Sequence, residues 1–158
     1  MQNQFSRTQM LIGEKGIDQL QRAHVAIFGL GGVGGYVVEG LVRAGVGSFD
    51  LIDDDKVGLS NLNRQLLATH ETIGNYKVDV MKERILSINP QAKVVIHRCF
   101  YLPETSEQFD FRQYSYVVDA IDTVTGKLEI IMKAQEAKVP IISCMGTGNK
   151  IHPELLSV

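Results

Sequence analysis

The segment Gly29-Leu30-Gly31-Gly32-Val33-Gly34 carries the first chemical signal of the chain. Gly29, Gly31 and Gly34 fit the spacing G-x-G-x-x-G, after one apolar run and before a helical stripe. Glycines there let the backbone turn tightly and approach a phosphate, while the following helix offers N–H groups and partial positive charge. Asp53 stands 24 positions after Gly29 at the end of a second apolar run, where a carboxylate accepts hydrogen bonds from ribose hydroxyls. A nucleotide fits these parts better than an empty tight turn does. NAD sites and some ATP sites share them.

The loop Leu59-Ser60-Asn61-Leu62-Asn63-Arg64-Gln65 separates the two. A polar loop ending in arginine beside a ribose carboxylate has little use in a dehydrogenase. A triphosphate needs its cations and amide donors to offset several negative charges. Lys77 points the same way, since a helix expected to start near Asn75 puts this cation in its first turn. That position costs roughly 0.3–1 kcal/mol, and a bound phosphate reverses the sign. A solvated surface lysine is the plainer alternative. Asp119 and Asp122 flank the end of a later apolar run, and ligands of open parallel sheets collect at such strand ends. Asp122 suits magnesium, which takes one or two carboxylates plus substrate oxygens. It suits an N-cap equally, and one residue can do both.

The elements that must position these residues follow from periodicity. Runs His24–Phe28, Phe49–Ile52, Lys93–His97, Tyr116–Val118 and Pro140–Cys144 read as strands. Between them, Val33, Val37, Val38, Leu41 and Val42 form one helical stripe, and Val78, Met81, Ile85 and Ile88 a second. Val124, Leu128, Ile131 and Met132 form a third. The span from Arg7 to Arg22, with Met10, Leu11, Ile17 and Leu20, is expected to be helical despite Gly13 and Gly16. Alternation of strand and helix predicts an α/β, Rossmann-like, doubly wound and mostly parallel sheet, with an N-terminal helix ahead of the first strand. The expectation is one domain over residues 1–158. Ile151 to Val158 reads as a strand beginning, so truncation at the C-terminal end is expected.

Together these residues resemble the ThiF/MoeB/HesA superfamily of adenylyltransferases, related to ubiquitin-activating enzymes. The likeness covers nearly the whole chain, and S-N-L-x-R-Q at this distance from the glycine loop is its specific part. The resemblance implies that Gly29, Gly31, Gly32 and Gly34 cradle ATP phosphates, with Asp53 on the ribose. It implies Asn61, Arg64 and Lys77 on the triphosphate, Asp122 on Mg2+, and a homodimer in which Arg7 reaches the neighbouring subunit's site. Arg64, Lys77 and Asp122 are then the catalytic candidates. Phe5–Gly13 and Cys144–Pro153 are most similar to the tRNA threonylcarbamoyladenosine dehydratase group. That likeness implies adenylation of the threonyl carboxylate of the modified tRNA nucleoside, then ring closure with loss of water. Two alternatives stay open: activation of a ubiquitin-like sulfur-carrier protein, and a nucleotide-binding module without catalysis.

Composition narrows the rest. With 44% apolar and 22% charged residues in 158, the chain is an ordinary globular domain. A net charge of −2 advertises no global field for nucleic acid. A local patch from Lys133, Lys138 and Lys150 competes with the reading of scattered, solvated lysines. No apolar run approaches the length of a membrane span, and the N-terminus lacks the pattern of a signal peptide, so a cytoplasmic protein is expected. Cys99 and Cys144 form no CxxC pair and read as buried structural thiols. The four histidines share no metal-like spacing and read as structural or surface residues.

Overall fold

A computed structural model describes residues 3–146 together with His152 and Leu155. Five parallel strands, β1 (His24–Phe28), β2 (Ser48–Ile52), β3 (Lys93–His97), β4 (Tyr116–Asp119) and β5 (Ile141–Ser143), form a sheet of order β3-β2-β1-β4-β5. Four helices accompany them: α1 (Ser6–Arg22), α2 (Gly34–Ala44), α3 (Lys77–Ile88) and α4 (Val124–Glu136). The α/β doubly wound fold is the one expected. The stretch Ile151 to Val158, apart from His152 and Leu155, lies outside the described residues.

Strand alternation sends side chains to two cores. Val25 and Ile27, with Phe49 and Leu51, pack under Val38, Val42, Met81 and Ile85 of α2 and α3. Ala26, Phe28 and Ile52 face Phe109, Phe111, Tyr114 and, from α4, Ile130 and Ala134. Each fully buried large aliphatic or aromatic side chain contributes about 1.5–3 kcal/mol by leaving water. Because α2 and α3 cover one face and α4 the other, the winding direction switches between β1 and β4. Beyond the carboxyl ends of strands at such a switch the connecting loops diverge and leave a crevice.

Two helices depart from expectation. At Gly13 α1 breaks, with φ 73° and ψ 175°, so its two halves do not share one stripe. Ile17 is buried, whereas Met10 and Leu11 are more than four-fifths exposed. In α4 the stripe Val124, Leu128 and Met132 faces outward, and Gly126, Lys127, Ile130 and Ala134 face the sheet. A buried ion pair sets that roll. The Lys127 ammonium reaches both oxygens of the fully buried Asp119, at 3.1 and 2.9 Å, and the Cys144 carbonyl at 2.7 Å. Meeting Asp119 requires the lysine face of α4 to turn inward, because an unpaired buried carboxylate is far costlier than an exposed leucine.

Two of the four histidines, His24 and His97, are structural in an unforeseen way. His24 on β1 and His97 on β3 donate from Nε2 to opposite oxygens of Asp50 on β2, at 2.7 and 2.9 Å, and the Tyr114 hydroxyl donates at 3.0 Å. Burial pushes the Asp50 carboxyl up, but these bonds and the His24 charge outweigh it and hold it well below the usual carboxylate range. A carboxyl depressed by folding stabilises the fold above its unfolded pKa, about 3.9, and that stability is lost as pH falls toward the lower folded value. Asp50→Asn should therefore lower the melting temperature at pH 6, by a margin that shrinks as pH falls to 3. Melts across that range check it, and a constant margin would show that the cluster does not titrate with folding.

Candidate active site

The glycine loop leaves β1 at Gly29, whose φ of 91° is left-handed. A Cβ there would lie 2.7 Å from the Ala120 carbonyl oxygen, so the loop after β4 rests directly on the glycine loop. A Cβ on Gly34 would overlap the Gly29 carbonyl oxygen. Both positions exclude any side chain, and α2 begins at Gly34, directly behind the loop.

That crevice has a volume of about 750 Å³ and is walled by Gly29, Gly31, Gly32, Asp53, Asn61, Arg64, Lys77 and Asp122, among others. Gly34 lies behind the loop rather than in the wall. Asp53 is half-buried; it accepts from the Leu30 amide at 2.6 Å and the Asp55 amide at 2.9 Å, which ties the two loops together. Burial pushes its carboxyl up against those two bonds and the Lys77 charge. A carboxylate offers about four acceptor sites, so two remain for ribose hydroxyls.

Arg64 is exposed and held only locally, donating to the Ser60 carbonyl at 3.1 Å and Asn63 Oδ1 at 3.0 Å. A Cβ on Gly32 would touch its Cγ at 3.6 Å, so the aliphatic stem of Arg64 and the glycine loop are neighbours. Asn61 spends its side-chain oxygen on the Gly58 amide at 2.9 Å, closing the short 3-10 turn Leu59–Asn61. Lys77 lies in the first turn of α3, as expected, though the helix starts at Lys77 itself rather than near Asn75; it is 4% exposed and its ammonium already meets Asp55 at 2.6 Å. The charge at this helix start is thus answered by a carboxylate of the chain itself.

Asp122 stands exposed in the cleft after β4. The N-cap of α4 is Thr123, so the cap reading of Asp122 falls. The carboxylates of Asp53, Asp54 and Asp55, which also line the cleft, lie within 4.8 Å of one another. Such a set of hard oxygen donors suits Mg2+.

Arg7 does not line this cleft. It is exposed in the first turn of α1, two residues after Phe5, whose ring packs on Gly45 at the amino end of the sheet. Cys144 is no buried strand residue: β5 ends at Ser143, and Cys144 is half-buried in the cleft wall with Cys99. Burial and then the Asp54 charge push the Cys99 thiol up, which makes it a poor nucleophile. Lys133 is engaged by Glu107 at 3.1 Å, and Lys150 lies outside the described residues. No basic patch is built from that trio among the described residues.

Three residues escaped the sequence reading. Lys127 was betrayed only by Asp119, a carboxylate ending a run too apolar to leave it unpaired. Gln65 and Tyr101 both line the cleft with a buried polar atom lacking a partner, Gln65 Oε1 and the Tyr101 hydroxyl. The position of Gln65 after Arg64 was its one signal.

The ThiF family profile matches residues 5–153. A tRNA threonylcarbamoyladenosine dehydratase of Bacillus subtilis is 44% identical over 153 residues, 97% of this chain and 60% of that protein. The crystal structure of the Escherichia coli tRNA N6-threonylcarbamoyladenosine dehydratase TcdA in complex with ATP superposes with a TM-score of 0.91 at 39% identity. It covers 96% of this chain and 62% of that one. A sulfur carrier protein adenylyltransferase of Thermus thermophilus is 38% identical over 111 residues, 70% of this chain and 41% of that protein. The chain thus spans about three-fifths of the length of the dehydratases it matches. A glycine loop, the half-buried Asp53 and an arginine-bearing loop meet at the sheet's switch point, and with a profile matched over residues 5–153 this chain belongs to the ThiF family.

Proposed function

We propose that residues 1–158 form a single ATP-binding adenylation domain, and that the substrate is the threonyl carboxylate of threonylcarbamoyladenosine in tRNA. One observation carries the adenylation: Asp53, Arg64, Lys77 and Asp122 share one cleft with the glycine loop. The identity to dehydratases supports the choice of substrate. In this reading Gly29, Gly31, Gly32 and Gly34 shape the phosphate cradle, Asp53 holds the ribose, and Asn61, Arg64 and Lys77 hold the triphosphate. Asp122 would hold Mg2+, which when bound neutralises phosphate charge. The substrate carboxylate oxygen attacks the α-phosphorus in line, and the bond to the bridging oxygen breaks. Pyrophosphate leaves, with Arg64 and Lys77 balancing its growing charge. The carbamoyl group then displaces AMP as the ring closes, for a net loss of water. The place of action is the cytoplasm.

Calorimetry and pyrophosphate release test this reading. ATP with Mg2+ should bind and NAD should not, and tRNA bearing the modified nucleoside should stimulate pyrophosphate release. The likeness to the sulfur carrier protein adenylyltransferase supplies the competing substrate. Stimulation by a carrier protein's C-terminal tail and not by tRNA would replace the substrate assignment, and NAD binding without ATP binding would remove the adenylation.

The position of Arg7, outside its own cleft and beside the exposed Met10 and Leu11, supports a homodimer in which it serves the partner's site. Mixing an Arg7→Ala chain with a Lys77→Ala chain should restore part of the activity through hybrid dimers. An inactive mixture would show that Arg7 does not act across a dimer.

A further inference from the structure

Two stretches of the cleft wall, residues 120–122 after β4 and 144–146 after β5, are tied to one buried ion pair, Asp119 with Lys127. The backbone carbonyl of Asp119 accepts from the Cys144 N–H at 2.9 Å, while Lys127 donates to the Cys144 carbonyl at 2.7 Å. Both backbone groups of Cys144 are thereby clamped as the chain leaves β5. The Asp119 carboxylate also accepts from the Ile121 N–H at 3.3 Å and from the Ser143 hydroxyl, which ties the loop before Asp122 to the end of β5. An ammonium has three N–H donors. Lys127 spends them on the two Asp119 oxygens and on Cys144, so none is left for a ligand. Stability alone does not account for the pair, because well-packed apolar side chains of similar volume are often as stable. What the pair adds is direction: hydrogen bonds of fixed length hold the two stretches in one register, as a reacting site requires.

We propose that Lys127 is a positioning residue for the acyl substrate: with Asp119 it fixes the wall against which the attacking carboxylate is held. The inference rests on the adenylation reading and names the part of the cleft that the acyl group meets. In that reading Asp53 takes the ribose beyond β2, and the glycine loop takes the phosphates beyond β1. Pyrophosphate leaves toward Arg64 and Lys77, which lie between β2 and the first turn of α3. In-line displacement brings the attacking oxygen from the side opposite the leaving group. The order β3-β2-β1-β4-β5 sets β4 and β5 on the other side of β1 from β2, so stretches 120–122 and 144–146 form the wall this oxygen meets. Met145, 66% exposed in that wall, offers an apolar surface to the rest of the acyl group.

Two variants separate the wall from the nucleotide and from the fold. Lys127→Met with Asp119→Leu removes the pair without leaving a lone buried charge. Ser143→Ala keeps the pair but frees the carboxylate from β5. Each is compared with the wild type by thermal melts, by calorimetry with ATP, and by kcat and KM for tRNA bearing the modified nucleoside in pyrophosphate release. A reacting group misplaced by about 1 Å loses on the order of a hundredfold in rate. The double variant should therefore lose roughly tenfold to a hundredfold in kcat/KM for the tRNA, while ATP affinity and melting temperature stay near the wild type. Ser143→Ala should lose less, in the same direction, and it carries the test by itself if the double variant does not fold. Wild-type kcat/KM in a folded variant makes the pair purely structural and overturns the proposal. An ATP affinity that falls in step with kcat/KM assigns the wall to the nucleotide and overturns it too. A wild-type protein that releases no pyrophosphate with this tRNA removes the reading on which the proposal stands.

Discussion

Arg64→Ala is expected to slow adenylate formation on the order of a hundredfold while leaving the melting temperature nearly unchanged. The two halves of that result have separate causes. Arg64 is exposed, and both its hydrogen bonds stay within its own loop, to Ser60 and Asn63. Removing it leaves no buried group unpaired, and such surface changes stay within about ±0.5 kcal/mol. Its aliphatic stem stands next to Gly32 and the residue lines the cleft, which receives phosphates under the proposed function. A charge-assisted contact that strengthens as pyrophosphate departs acts on the transition state more than on bound ATP, so the rate should fall more than the affinity. Loss of one such donor commonly costs a hundredfold or more, about 2.7–4 kcal/mol. Single-turnover adenylate formation beside thermal melts checks both halves. Loss of ATP affinity at an unchanged rate would make Arg64 a ground-state contact only.

The largest stability effect is expected from a residue the nucleotide does not need. Lys127→Met should destabilise the chain by about 3–5 kcal/mol, the usual result of stripping one partner from a buried ion pair. Asp119 is fully buried, and Lys127 supplies its one cation among the described residues. The same ammonium holds the Cys144 carbonyl, so its removal also loosens the turn after β5 that forms part of the cleft wall. For a chain of this length such a loss lowers the melting temperature by roughly 6–20 °C. Replacing both partners, Lys127→Met with Asp119→Leu, should recover much of the stability, since a buried pair exchanged for apolar groups is often neutral. A single variant that melts with the wild type would show that Asp119 finds its compensation elsewhere. The Ser143 hydroxyl, which also donates to it, is the group to suspect.

The contrast between Arg64 and Lys127 separates what could be read along the chain from what could not. β1 and β3 were legible to the residue, because a short apolar run bounded by polar residues has few other ways to bury itself. The glycine loop was legible for a steric reason: at Gly29 and Gly34 no side chain fits, so the residue type itself reports the close approach. Arg64 and Lys77 were legible as cations wanting an anion, although Asp55 as the resident partner of Lys77 was not.

The roll of α4 depended on a partner elsewhere. Its apolar stripe is real, but which side faces the sheet is settled by a contest between burying Leu128 and pairing Asp119, and the ion pair wins by several kcal/mol. The Asp50 cluster has the same character. His24, Asp50, His97 and Tyr114 come from four separate segments and meet only because β1, β2 and β3 are adjacent and in this register. Arg7 and Cys144 were likewise decided in space, one carried to the far end of the sheet and the other brought into the cleft. By itself, then, the sequence determined the sheet, the glycine loop and the family, because each depends on local periodicity or on residues that admit one conformation. Tertiary structure alone decided which charges are paired and which face of a helix is hidden. The energy of a buried charge depends on what stands opposite it, and that partner comes from another part of the chain.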